Sequence, residues 1–560
     1  MIILGISLGF NSSACVYSTT HGILAAISQE RLNGQKNTKD LPLDAVLECC
    51  EVAGVTSIDR IAISHYEDIT NSYFDRYGER YGLAAKIWKN KIISFLVNND
   101  ITIGNTNILR VPHHDAHKWS TVAFYKHPEA DDYAITSDGF GDGFSATIST
   151  FGGDMLSTKK LEESVALVYQ FVTGALGYKE HQHEGKITGL AAFGTPKYID
   201  CFEDLNIDDV ELTEEEQKQV KTSAIIDFDK FLKLKKTVYG LVKMLLEEGA
   251  SPADIAASVQ DYAENVTLKW VQANVTKGHN CYLAGGLFAN VKINQRIKDM
   301  KTDNGESLFK NVYVCPAMGD EGTAVGAAVY CCIYEAEIVS PNQCGTVADE
   351  TEVNHWFDVY CQNKDAYKIH KIEDDQQLAV WIAEQLSNNR IVCLVKGRME
   401  FGPRALCHRS ILYNCNTKET NTWLNDKLGR TEFMPFAPVC REEVADDLFL
   451  NLNGGRDSAK HMTMTFDCTD EFIQNYPAAC HIDNTARPQI VSYNEDPFIW
   501  NVLERYENMT EKKALINTSF NLHNNPIIES TDVAIRSWLT SDTDVLVIGN
   551  TIIEKVVENA

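Results

Sequence analysis

No apolar run in the sequence approaches the roughly 18 residues that a membrane-spanning helix needs, which argues against an integral helical membrane protein. Met1–Gly5 is too short for a signal peptide and lacks its basic flank, so a cytoplasmic location is expected. C-x-x-C pairs are absent too. The 16 cysteines are scattered, and several, such as Cys15, Cys315 and Cys393, lie inside apolar strand-like runs. They read as small buried hydrophobes, not as disulfides or zinc ligands. Positive charge is the third scarcity: 51 Lys+Arg against 78 Asp+Glu give a net charge of -27, which repels polyanions and argues against a general nucleic-acid binder. Two stretches, Lys86–Lys91 and Lys230–Lys236, interleave cations with aromatics. That combination can hold a phosphate backbone and stack bases, and a solvated amphipathic helix face produces the same pattern.

The chain has 560 residues, 44% of them hydrophobic and 23% charged. That is the composition of a globular protein, at a length that calls for two domains. His113 and His117 stand four residues apart just after Pro112, which can open a helix. At that spacing both imidazoles leave one helical face, close enough to grip a divalent ion, although a pair of satisfied core histidines would look the same. Two Asp-Gly or Gly-Asp turns favour the metal. Asp138 and Asp320 each follow an apolar strand-like run, where a hard carboxylate can complete a coordination sphere.

Taken in order, the chain opens with a hairpin pattern, Ile2 to Ser18, whose turn of glycine and small polar residues includes Gly9 and lets backbone amides approach a phosphate. About 130 residues later the pattern returns over Ala134 to Ile148, with Ser137-Asp138-Gly139-Phe140 laid over Ser7-Leu8-Gly9-Phe10. Such a repeat suggests two similar lobes facing a nucleotide, as in actin-like ATPases. Helices are expected over Asp44–Gly54, Tyr81–Asn98 and Ala253–Val275. The acidic run Asp208–Glu216 reads as a solvated insertion. Lys186, in a polar turn leading into a small-residue helix, is a candidate phosphate or substrate contact. Gly285, Gly286 and Asn290 follow a strand in a loop suited to close approach to a ribose or phosphate. Glu335–His370 reads as a linker. Beyond it come a helix over Asp375–Asn388, a strand over Ile391–Val395, and a loop from Lys396 to Arg409 with clustered cations, Arg404 among them. Guanidinium forks match phosphate and carboxylate oxygens in pairs, so this half, with Lys427, Arg430, Arg441, Arg487, Ser519 and Asn521, reads as an anion-binding domain.

Jointly, these motifs resemble the nodulation-protein-type O-carbamoyltransferases, the family that includes tobramycin and cephem carbamoyltransferases. The residues that carry the resemblance run in family order over nearly the whole chain: His113–His117, Asp138-Gly139, Glu184–Ala191, Ala284–Gly286 with Asn290, Gly319-Asp320, Gly402–Leu406 with Arg409–Leu412, Ala486–Gln489 and Asn517–Asn521. The resemblance implies an α/β protein. Its N-terminal part, 1–345, would be an actin-like (duplicated ribonuclease-H-like) domain for metal, ATP and carbamoyl transfer. A linker at 346–368 would lead to a YrdC-like carbamoyl phosphate and adenylation domain at 369–560. It makes His113, His117, Asp138 and Asp320 metal ligands, and Lys396, Arg404, Lys427, Arg487, Ser519 and Asn521 the cradle for phosphates. The implied cofactors are Fe(II) or a similar divalent metal and Mg2+, with ATP and carbamoyl phosphate as co-substrates. The implied reaction runs through carbamoyl-adenylate to an acceptor hydroxyl. For the acceptor's proton, His114 is a candidate base, with Asp138 and Lys186 beside it. A secondary-metabolite sugar or polyol and a hydroxymethyl-pyrimidine of DNA both remain open as acceptor. No membrane partner is expected, and a homodimer is consistent with the family. The rival readings are a fused threonylcarbamoyl-type tRNA-modifying enzyme and a non-catalytic actin-like nucleotide switch.

Four places depart from the family pattern. Cys407 stands for a glycine, Met434 for an arginine, Asn524-Asn525 for glycine-glutamate, and Asn11-Ser12-Ser13 for histidine-aspartate-serine.

Overall fold

The computed structural model describes residues 1–65, 90–105, 108–223, 227–332, 336–428, 435–522 and 524–556. The stretch Lys86–Lys91 falls mostly outside these residues, as do Arg430, Met434 and the first half of the helix expected over Tyr81–Asn98; residues 90–98 of that expectation are helical. The chain forms two compact units, one of Met1–Leu24 and Lys39–Ile338, the other of Ala25–Thr38 and Val339–Ala560.

Two five-stranded sheets with the same layout build the first unit. One runs Gly22–Ser28, Ser13–Ser18, Ile2–Ser7, Arg60–His65, Ile108–Pro112, and the other Met155–Lys159, Phe144–Thr150, Tyr133–Gly141, His279–Ala284, Phe309–Val314. In each, the central strand pairs antiparallel with the next strand in sequence and parallel with a later one. The short Ser-x-Gly-Phe match therefore marks a true structural repeat, and the first unit is a duplicated, actin-like α/β fold. Ile2–Ser7 and Ser13–Ser18 are buried along nearly their whole length, so they read as largely apolar runs without alternation.

Each sheet hands its last strand to a helix: Ile108–Pro112 leads into the helix His113–Val122, and Phe309–Val314 leads through a short turn into Thr323–Tyr330. These two helices pack on each other. Glycine sets how closely. A Cβ on Gly326 would lie 1.7 Å from the carbonyl oxygen of Ala116, and one on Gly5 would lie 2.0 Å from that of Ala324.

An eight-stranded mixed sheet forms the second unit, in the order Tyr367–Lys371, Thr551–Lys555, Val545–Ile548, Val392–Val395, Arg409–Asn414, Ala514–Ser519, Ala437–Arg441, Gln489–Val491. The helix Asp375–Ser387 buries Leu378, Ile382 and Leu386, one turn apart, against Val392, Leu394 and Val547. Beside it lies the helix Pro497–Thr510, opened by Pro497 and by Asp496, whose carboxylate accepts the Ile499 N–H at 3.0 Å.

The expected linker over Glu335–His370 is corrected. It holds the helix Val353–Tyr360, which packs on Thr531–Thr540, and the edge strand Tyr367–Lys371, paired with Thr551–Lys555. Val353 and Phe357, one turn apart, are the only fully buried pair in that helix, so its periodicity was too sparse to stand out. Pro252–Asn274 and Leu43–Ala53 are helices as expected. The acidic run is solvent-facing as expected, and its last three residues open the helix Glu214–Thr222, capped by Thr213. All 16 cysteines are free thiols and 13 of them are buried. Among the described residues no helix is long and apolar enough to cross a membrane.

Candidate metal centre and anion site

In the first unit the repeat puts three strand ends together. His113 and His117 begin the helix that follows Ile108–Pro112; Asp138 lies near the end of Tyr133–Gly141; Asp320 follows Phe309–Val314. The Asp142 carboxylate accepts the backbone N–H of His113 and so anchors the helix start to the neighbouring hairpin. Serine 7, the repeat partner of Ser137, donates to the Asp320 carbonyl at 2.9 Å and accepts from Thr323 at 2.9 Å. Glycines give the room: a Cβ on Gly141 would meet the His113 ring at 2.2 Å, and one on Gly286 would meet Asp138 at 2.8 Å.

Both histidine Nε2 atoms lie 3.2 Å from Asp138 Oδ2, and they lie 3.8 Å (His113) and 3.4 Å (His117) from Asp320 Oδ1. The four ligand atoms fall within 4.8 Å of one another. Without a cation the arrangement is in conflict. Burial and then repulsion from Asp138 push the Asp320 carboxyl up, while the two rings outweigh burial and hold Asp138 well below the usual carboxylate range. Burial also opposes the charge on His117, but Asp138 and Asp320 overcome it and raise that ring to about 9. A divalent cation would resolve the conflict by offsetting the negative charge of Asp138 and Asp320 together. Two imidazoles with two carboxylates suit a borderline first-row ion, so the residues fit the implied group.

His114 is corrected as a base. Its Nδ1 is 2.8 Å from the Thr136 hydroxyl and its Nε2 is 3.1 Å from the Phe144 carbonyl oxygen, so both nitrogens are engaged. Burial, and then the charge on His113, lower it to about 3. It is a neutral strut between helix and hairpin. Asn290 Oδ1 accepts the N–H groups of Lys292 and Ile293 as a helix cap, and one N–H of its amide donates to Gln260 at 2.8 Å, so the side chain also has a structural role. Gly9 and Gly139 sit at equivalent places in the two hairpins, and Gly285, at φ +106, brings its loop against the Ser137 backbone. Lys186 is buried on the helix Glu184–Ala191.

Anion-binding groups in the second unit gather at one end of its sheet. Lys396 follows Val392–Val395 and donates to Asn550 at 2.8 Å and to Asp375 at 2.9 Å. Ser519 ends the strand Ala514–Ser519 and donates to Asn521 at 2.6 Å. The Asn517 amide donates to the Ala405 carbonyl at 3.0 Å and to Gln489 at 2.6 Å, tying the loop of Arg404 to that of Arg487. Burial and the Arg404 charge hold Arg487 well below the ordinary guanidinium value. The charges of Arg404 and Arg487 oppose each other in a partly buried place, a repulsion that a bound anion would offset. Lys427 does not join them. It pairs with Asp542 at 2.5 Å, at the far end of Val545–Ile548 from Asn550. Arg441 is spent as well, on Glu507 at 2.6 Å.

Residues 2–329 match the carbamoyltransferase N-terminus family model and residues 383–555 the carbamoyltransferase C-terminus model. The chain belongs to the carbamoyltransferase family. Similar proteins include the nodulation protein NolNO of Sinorhizobium fredii, 28% identical over 95% of this chain and 77% of that one. An uncharacterised protein of Methanocaldococcus jannaschii is 28% identical over 99% and 100%. HypF of T. kodakarensis is a solved structure at 17% identity and TM-score 0.30, covering 59% of this chain and 47% of that one; the strand order, not that likeness, assigns the fold.

Two departures of this carbamoyltransferase have a backbone meaning. Cys407 sits at φ +72 and Asn524 at φ +66, both left-handed. The glycines usual there are free to adopt that backbone. Asparagine tolerates it, and Cys407 is held in it by its N–H to Ser410 at 2.9 Å and its thiol to Gln489 at 3.3 Å. At the N-terminal departure, Asn11 (φ 52) faces Glu321 at 3.4 Å, and Ser13 donates to the Glu321 carbonyl at 2.7 Å.

Proposed function

We propose that this carbamoyltransferase is ATP-dependent. In the second unit, a YrdC-like domain, carbamoyl phosphate loses its phosphate to water, and the resulting carbamate takes AMP from ATP with release of pyrophosphate, giving carbamoyl-adenylate. The carbamoyl group then passes to an acceptor hydroxyl at the histidine–aspartate quartet of the first unit, releasing AMP. The quartet carries this reading, because two imidazoles and two carboxylates within 4.8 Å have no purpose in a nucleotide switch. A divalent cation, Fe(II) or similar, held by His113, His117, Asp138 and Asp320 supplies Lewis-acid polarisation of the carbamoyl carbonyl. The chain's own residues do the rest. Arg404 and Arg487 hold the phosphate in pairs of hydrogen bonds, with Lys396, Ser519 and Asn521 at the same sheet end. The hairpin turns at Gly9 and Gly139 and the loop at Gly285-Gly286 receive nucleotide phosphates on backbone amides. Lys186 is kept as a candidate substrate contact.

The acceptor is a small hydroxylated molecule of the sugar or polyol class. Supporting this is the fate of the basic stretch Lys230–Lys236, which lies on the helix Phe228–Glu247. Three of its four lysines are paired with carboxylates, Lys230 with Glu162 at 3.2 Å, Lys235 with Glu180 at 2.8 Å and Lys236 with Glu216 at 3.0 Å, which lowers the positive charge the stretch can offer to a phosphate backbone. Mass spectrometry of reactions with carbamoyl phosphate, ATP and Fe(II), offered polyols, aminoglycosides and hydroxymethyl-pyrimidine DNA, tests both parts. A gain of one carbamoyl group on a small molecule, absent in His117→Ala, is expected. Carbamoylated DNA would overturn the acceptor, and no carbamoylation of any substrate with no AMP formed would overturn the reaction.

A further inference from the structure

Residues Ala25–Thr38 lie near the start of the sequence yet belong to the second unit. In the middle of this excursion is Arg31, on the short turn of helix Gln29–Asn33, only 8% exposed. Its Nη2 donates to the carbonyl oxygen of Gly402 at 2.8 Å, and its Nε stands 3.7 Å from Glu30 Oε1. Nη1 is buried with no hydrogen-bond partner among the described residues. A nearly buried guanidinium whose strongest bond is to one backbone carbonyl is an expensive choice for packing alone.

What that carbonyl belongs to explains the choice. Gly402 sits at φ +113, a backbone that side chains rarely adopt, and Pro403, which follows, has no N–H to donate. Arg404 comes next. The loop's outgoing end is fixed by Glu400, whose Oε1 accepts the N–H groups of Leu406 at 2.7 Å and Arg409 at 3.3 Å. Its incoming end has the Phe401 N–H bonded to the Pro341 carbonyl at 2.7 Å. Between those anchors, Gly402 is held by Arg31. The excursion itself is tied to the same region, since the Ala26 N–H donates to the Cys344 carbonyl at 3.0 Å, as does Arg398 at 2.9 Å.

We propose that Arg31 is a positioning residue for the anion site: its bond to the Gly402 carbonyl fixes the loop that aims Arg404 at the phosphate, so the N-terminal excursion completes the second unit's binding site. This rests on the reading of Arg404 and Arg487 as the phosphate pair. Arg31 touches no substrate; it acts through Gly402.

The full-length Arg31→Ala and Arg31→Lys variants test it by hydrogen exchange of the loop amides 401–406 and by carbamoyl-phosphate-dependent ATP–pyrophosphate exchange. Arg31→Ala should speed loop exchange and raise the KM for carbamoyl phosphate about tenfold, with the KM for ATP within about twofold. Arg31→Lys, which can still reach the carbonyl, should restore most of both. Unchanged loop exchange, a parallel rise in both KM values, or a lysine variant no better than alanine would overturn the proposal. If the wild-type enzyme shows no carbamoyl-phosphate-dependent exchange at all, the functional reading falls, and loop exchange with calorimetric binding of inorganic phosphate decides on Arg31 alone. Should the alanine variant not fold, Arg31→Gln carries the same readouts.

Discussion

At the scale of single residues, the surroundings of individual side chains have consequences that can be measured. Glu184 is raised to about 7, chiefly by burial, against its backbone contacts and beside Glu180. A folded-state value above the unfolded one means the folded protein holds the proton more tightly. Stability should therefore fall as pH rises from about 4.5 to about 7 and stay level above that. Glu184→Gln keeps the acceptor for the His181 N–H and removes the penalty. Its melting temperature should exceed wild type at pH 8, by the equivalent of about 2 kcal/mol, and match it near pH 4.5. At Cys407 the left-handed backbone gives a second expectation. Cys407→Val, β-branched at φ +72, should cost about 2 kcal/mol in urea unfolding, whereas Cys407→Gly should stay within about 1 kcal/mol of wild type. The juxtaposition of His113 and His117 was legible because i, i+4 histidines are a local pattern. The roles of His114 and Asn290 were not, since what engages them, Thr136, Phe144 and Gln260, comes from distant sequence.

Whole elements carry the next expectation, because the two helices that hold the quartet are spaced by one glycine. Gly326→Val would drive a side chain into the Ala116 carbonyl, where even a Cβ would lie at 1.7 Å. The helices must then part, and Asp320 moves relative to His113 and His117. We expect a loss of about 3 kcal/mol in stability and a fall in bound metal by elemental analysis, although Gly326 touches neither ligand nor ion. The repeated hairpins could be read from the sequence because Ser7–Phe10 and Ser137–Phe140 share their turn chemistry. The helix Val353–Tyr360 and the edge strand Tyr367–Lys371 could not. Each shows one face to the rest of its unit and too few apolar residues for a period to emerge, and both take their order from partners nearly two hundred residues later.

For the molecule as a whole, motif order fixed the family, while the excursion Ala25–Thr38 was invisible: no composition shift marks where the chain leaves one unit for the other. If the quartet holds a divalent ion, that ion should stabilise wild-type protein by about 2.7 kcal/mol at a hundredfold excess over Kd and leave His117→Ala unchanged in thermal unfolding. The account's central claim is a division of labour, with activation in one unit and transfer in the other. Carbamoyl-phosphate-dependent ATP–pyrophosphate exchange, measured on wild type, Arg487→Ala and His117→Ala, tests it most directly. Exchange in wild type, kept in His117→Ala and lost in Arg487→Ala, is the expected result. Exchange without carbamoyl phosphate, or exchange kept in Arg487→Ala and lost in His117→Ala, would contradict it.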